Sequence, residues 1–147
     1  MSKTLSLHHI VFCTRNRAAT IPATSKRDLF AYIHGIIKAK GCRLHRINGM
    51  EDHDHMLVDI DPTISMADLV KTIKQSSSYW IKQHPDFRIF DGWARGYYAF
   101  SLSRKEFNKC MNYIINQEKH HSGVAFTEGT KELANANGVD WHPQDWI

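Results

Sequence analysis

The chain has 147 residues, 42% hydrophobic and 23% charged, with a net charge of +4, which is ordinary for one globular domain that buries its core without disulfides or a structural metal. No apolar run approaches the ~20 residues that cross a bilayer, and Met1-Ser2-Lys3-Thr4 leads into alternating residues, not into a signal peptide's apolar centre. Three scattered cysteines without a C-x-x-C pair, Cys13, Cys42 and Cys110, fit a reducing cytoplasm, and the mild positive charge permits a polyanionic partner without demanding one.

Ser6 to Thr14 alternates as a strand, with Leu7, His9, Val11 and Cys13 on one face and Ile10 and Phe12 on the other. A basic turn, Arg15-Asn16-Arg17, follows. Ser25 to Lys40 carries a helical stripe of Leu29, Phe30, Ile33, Ile36 and Ile37, with Ser25 as its cap and Gly41 as its stop. Arg43 to Asn48 is a second strand, Gly49 breaks it, and Asp54 to Ile60 is a third, closed by Asp61-Pro62. Ser65 to His84 is a second helix, with Ser65 and Asp68 as a capping pair and Pro85 as its stop. Tyr97 to Leu102 is a short aromatic strand. Ser103-Arg104-Lys105-Glu106 is a capping box for a third helix running to about His121.

Beyond that point the signals weaken. Lys131 to Ala136 suits a short helix, and Trp141 and Trp146 suggest a tail that docks. The order β-α-β-β-α-β-α is the ferredoxin-like split βαβ, an α+β fold, with an added C-terminal helix that carries Tyr113. It predicts an antiparallel sheet with helices on one face. Residues 1–121 would be the domain and 122–147 a tail.

Four features could carry chemistry. In His53-Asp54-His55 the two imidazoles are i and i+2 on a strand, so both reach one face and one ion, while Asp54 points to the other face with Met56, Val58 and Ile60. Ten histidines in 147 residues make such a pair common by chance, so alone it says little. Asp54 stands at the start of its strand, where a carboxylate is more easily tolerated. Tyr113 and Gln117 are i, i+4 at the edge of an apolar stripe of Phe107, Cys110, Met111 and Ile114. Trp93 to Phe100 mixes aromatic rings with Arg95, as base stacking and phosphate contact require, though a plain sheet strand looks the same. Lys71, Lys74 and Lys82 form a basic helix face that could follow a phosphate backbone or be merely solvated.

In order and spacing these features resemble one family. His9 to Arg17, Gly49 to Val58, Ser65 to Trp80, Trp93 to Phe100 and Asn112 to Gln117 together resemble the single-tyrosine transposases of the HUH superfamily, encoded by the smallest bacterial insertion sequences (the insertion-sequence two-hundred type), and their relatives associated with repeated palindromes. The likeness runs from about Leu5 to His121. It implies Tyr113 as nucleophile and His53, His55 and Gln117 as ligands of Mg²⁺ or Mn²⁺. It also implies cleavage of single-stranded DNA at hairpin-marked ends through a 5′-phosphotyrosine, and a homodimer with no nucleotide cofactor. Arg15, Arg17, Lys71, Lys74, Arg95 and Tyr97 are the candidates for DNA contact. The family usually has a large apolar residue where Asp54 stands. That departure keeps open a second reading, a relative that binds hairpin DNA without cutting it.

Overall fold

The computed structural model describes residues 2–117 and 123–146. Four strands, β1 (Leu7–Cys13), β2 (Arg43–Met50), β3 (His53–Asp59) and β4 (Tyr98–Leu102), form one antiparallel sheet in the order β2-β3-β1-β4. Helices α1 (Lys26–Ala39) and α2 (Met66–Gln83) cross between strands, as the split βαβ requires. Both lie on the face to which Ile10, Phe12, Met56 and Val58 point, and they bury Leu29, Ile33, Ile37, Leu69, Ile73 and Ile81 against it. Each such side chain contributes about 1.5–3 kcal/mol, so this layer holds the domain together.

The opposite face is covered as well, which corrects the expectation of helices on one side only. Helix α3 (Phe107–Ile115) lies over β2 and β3, with Ile114 packed on Leu7 and Leu57. Helix α4 (Gly123–Ala136) brings Phe126 and Ala134 onto Val11, Cys13, Tyr98 and Phe100. It is therefore a full helix where only Lys131 to Ala136 was legible. The expected end of the third helix near His121 lies outside the described residues. Trp141 is half-buried against the same cluster, and the Tyr98 hydroxyl donates to the Asp145 carboxylate, so this part of the tail does dock. The side chain of Trp146 lies outside those described.

Two local expectations also change. Ser25 precedes α1, but its hydroxyl donates to Asp86 (2.9 Å) and makes no capping bond. Ser65, by contrast, accepts from the Asp68 amide at 3.0 Å. Gly49 does not break β2. It stays in register opposite Asp54, and a Cβ there would stand 2.1 Å from the carbonyl oxygen of His53. The glycine is needed because two backbones approach closely, not because the strand ends.

Asp54 points to the α1–α2 face as the alternation predicts, yet its position at the strand's start gives no relief. It is 0% exposed, and neither carboxyl oxygen has a hydrogen-bond partner. Burial, and secondarily the nearby Asp52 charge, push its pKa well up, with Lys26 opposing. A carboxyl whose folded pKa exceeds its unfolded one binds more protons when folded, so stability falls as pH rises from about 4 through the folded pKa. In EDTA-treated protein, Asp54→Val should raise stability by about 1–3 kcal/mol. Urea titrations at a series of pH values should also show that downward slope in wild type and lose it in the variant. Parallel curves would refute the assignment.

Candidate active site

The site lies on the α3–α4 face of the central strands. His53 and His55 both point there from β3, 2% and 0% exposed. Their backbone partners on β1 are Cys13 and Val11, and on β2 they are Met50 and Asn48. Gln117, also buried, sits just beyond α3 with Oε1 3.3 Å from His53 Nε2. Its amide nitrogen donates to the Tyr113 carbonyl at 3.3 Å, which fixes which end faces the histidine. The Tyr113 ring stands edge-on to His55, with centroids 5.5 Å apart. The four residues singled out from sequence, Tyr113, His53, His55 and Gln117, therefore do converge.

Each histidine is held through its Nδ1. His53 Nδ1 lies 2.7 Å from the Asp52 carboxylate. Burial alone would raise the Asp52 pKa, but the hydrogen bond from His53, with Arg17, holds it below the ordinary value. His55 Nδ1 lies 2.9 Å from Nε2 of a third histidine, His9. Burial lowers the His9 pKa to about 4, so that ring is neutral at neutral pH.

This arrangement tests whether the residues fit an ion. In the tautomer that donates from Nδ1 to Asp52, His53 turns the lone pair of Nε2 toward Gln117 Oε1, so two acceptors face one another. A cation between them would satisfy both. Two imidazole nitrogens and an amide oxygen suit Mg²⁺ or Mn²⁺ better than a closed zinc site. Among the described residues, no three His, Cys, Asp or Glu side chains could hold a metal by themselves, so among these a third ligand would be the Gln117 amide.

Two anchors missed by sequence reading hold the surrounding helices. Asn48 on β2 is buried, and its amide donates to the Ile114 (3.0 Å) and Ile115 (3.2 Å) carbonyls at the end of α3. Helix-end carbonyls are short of donors within the helix, and Asn48 ties the last turn of α3, which bears Tyr113, to β2. On the other side Phe126 of α4 stacks on His53, with centroids 3.9 Å apart. Arg17 lies over Phe126 and donates to Thr127 at 2.7 Å. Gly129 faces the Tyr113 hydroxyl, which a Cβ there would approach to 3.0 Å. Burial raises the Tyr113 pKa, with Glu132 and Cys110 adding to it and the hydrogen bond from Gln117 opposing.

The candidate DNA contacts divide. Arg15, Arg95 and Lys82 line a surface hollow of about 470 Å³ beside Tyr79, which is 71% exposed. Lys71 is exposed on α2. Lys74 is not a free basic group: its ammonium donates to the Ala94, Arg95 and Gly96 carbonyls at 2.8, 3.3 and 2.7 Å. Tyr97 is half-buried against the core, and Arg17 is engaged with Asp52 and α4.

The family model described as "Transposase IS200 like" matches residues 2–117. The chain belongs to the IS200-like transposase family. The transposase is 28% identical over 115 residues to the transposases for insertion sequence element IS200 of Salmonella typhimurium and Salmonella typhi, covering 75% of this chain and 75% of each relative. Its fold is similar to the crystal structure of a candidate transposase from Deinococcus radiodurans, with a TM-score of 0.59 and 22% identity over 80% of this chain and 95% of that one. It is also similar to a REP-associated tyrosine transposase bound to a REP hairpin, with a TM-score of 0.63 and 15% identity over 100% of this chain and 90% of that one. At these identities the structural likeness shows the shared fold. Family membership makes DNA strand transfer, and with it transposition and recombination, the activity of this protein.

Replacing Asn48 with Ala removes both hydrogen bonds from β2 to the carbonyls at the end of α3. The expected cost is about 1–3 kcal/mol, read as a lower urea midpoint with an unchanged slope. An unchanged midpoint would show that α3 is docked by its apolar side alone.

Proposed function

We propose that the transposase cuts single-stranded DNA next to a hairpin by attack of Tyr113 on a phosphodiester, with a divalent cation held by His53, His55 and Gln117. The observation that carries this reading is the convergence of a half-buried phenol with two buried imidazoles and an amide, His53 Nε2 facing Gln117 Oε1. The hairpin bound by the REP-associated relative supports the DNA structure proposed here. A cation bound at this site would polarise the scissile phosphate and lower the cost of charge on the attacking and leaving oxygens.

The chain's own part is to aim and desolvate. Tyr113 Oη forms a bond to phosphorus, the bond from phosphorus to the 3′ oxygen breaks, and the phenol's proton is lost. The departing oxygen takes up a proton as a 3′-hydroxyl. The 5′ end remains on Tyr113 as a phosphodiester, so the strand can be rejoined elsewhere without ATP. Because burial holds the phenol protonated, attack depends on a cationic site beside it. Phe126 and Gly129 lie where a phosphate would approach, so the reaction on this reading requires α4 to shift. Arg15, Lys82 and Arg95, with Tyr79, offer phosphate and stacking contacts outside the site.

The test is to incubate the protein with Mn²⁺ and labelled single strands from the DNA flanking its own gene, and to look for a covalent adduct on a denaturing gel. The adduct should form with wild type and vanish with Tyr113→Phe or EDTA, while the variant still retards hairpin DNA on a native gel. Cleavage surviving in Tyr113→Phe would overturn the nucleophile. Hairpin binding without cleavage by wild type would support the non-cutting relative instead.

In calorimetric titrations, His53→Ala and His55→Ala should each weaken Mn²⁺ binding by at least about tenfold. Titrations that match wild type would remove the pair from the site.

A further inference from the structure

We propose that His9 is a positioning residue: by accepting a hydrogen bond at Nε2 from His55 Nδ1, it fixes the tautomer and ring direction that turn His55 Nε2 toward the site. This rests on the reading of His55 as an ion ligand. His9 lies on β1 opposite Leu57, and His55 on β3 lies opposite Val11. The two histidines are thus diagonal neighbours on one face, within reach of long side chains. Their nitrogens stand 2.9 Å apart and their ring centroids 5.1 Å apart. His9 is 4% exposed, so solvent does not compete for the contact.

One proton lies between the two facing nitrogens, and its place decides what His55 can do. If His9 Nε2 carries it, His55 Nδ1 is the acceptor, and a neutral His55 must then hold its own proton on Nε2, where it cannot ligate. If His55 Nδ1 carries it, Nε2 keeps its lone pair, and His9 is neutral with its proton on Nδ1. Only the second arrangement yields a ligand. Histidine ligands are commonly oriented by a partner on their second nitrogen. Here His53 has a carboxylate in that role, Asp52 at 2.7 Å, whereas His55 has an imidazole. His9 also stands edge-on to the Tyr113 ring, with centroids 5.7 Å apart, so it adjoins both the ligand and the nucleophile.

The test compares wild type with His9→Leu, which fills the space without an acceptor, and His9→Gln, whose amide oxygen can accept from His55 Nδ1–H. Imidazole nitrogen NMR on metal-free protein reads the His55 tautomer directly, independently of any ion. Wild type and His9→Gln should show His55 protonated on Nδ1, and His9→Leu should lose that state while its unfolding remains cooperative. In Mn²⁺ calorimetry, His9→Leu should bind about 10–100-fold more weakly than wild type, and His9→Gln should recover most of the loss. A wild-type His55 protonated on Nε2 would overturn the proposal, as would equal tautomers or equal Mn²⁺ affinities in wild type and His9→Leu. If wild type shows the expected tautomer but binds no Mn²⁺, His9 still orients His55 and it is the ion reading that fails.

Discussion

The pleat of β3 is the constraint on which the rest depends. Successive side chains on a strand point to opposite faces, so His53, His55 and Leu57 face α3 and α4, while Asp54, Met56 and Val58 face α1 and α2. A slip of one residue against β1 would exchange the two sets. The apolar residues of β1 and β3 hold that register, because Ile10 and Phe12 must meet the α1–α2 layer. The energy that fixes the imidazoles is thus spent on the side of the sheet away from them.

The two faces treat buried polarity differently. On the site side several polar groups have protein partners: Asp52 and His53, His9 and His55, the Gln117 amide and the Tyr113 carbonyl, and Asn48 and the end of α3. Such matching lets polar groups lie under two helices at little net cost. On the opposite face Asp54 is buried without a hydrogen bond, and its carboxyl is comfortable only when protonated. The strand therefore carries two hydrogen-bonded histidines and, between them, an acid without a hydrogen bond.

The fold was legible where one period governed a segment. The 3.6-residue stripes of α1 and α2 and the alternation of β1 and β3 place the main elements, and the i, i+4 spacing of Tyr113 and Gln117 puts both beside the histidines. His9 was read only as a residue on a strand face, because its partner is set by a diagonal across two strands 46 positions apart. Asn48 escaped notice because its role is to serve the end of another helix. Lys74 looked like part of a basic surface, but its long stem bends the ammonium into a ring of carbonyls. Helix α4 gave little signal because its buried face is mixed: Phe126 and Ala134 pack on apolar residues, yet Thr130 is buried among them.

Gly49 was misread for a related reason: a glycine in a strand looks like a stop, and its true neighbour is the backbone of β3. The closeness of those two chains makes the site's precision heritable through a position that touches no substrate. In a library of random variants selected for loss of transposition, hits at Gly49 would map to a spot with no functional group, on a strand that bears none of the proposed reacting residues. They would act by prising the His53 carbonyl away and tilting the imidazole behind it. The boundary of such a site is drawn by how near two main chains must pass, and it extends a strand further than any inventory of its side chains.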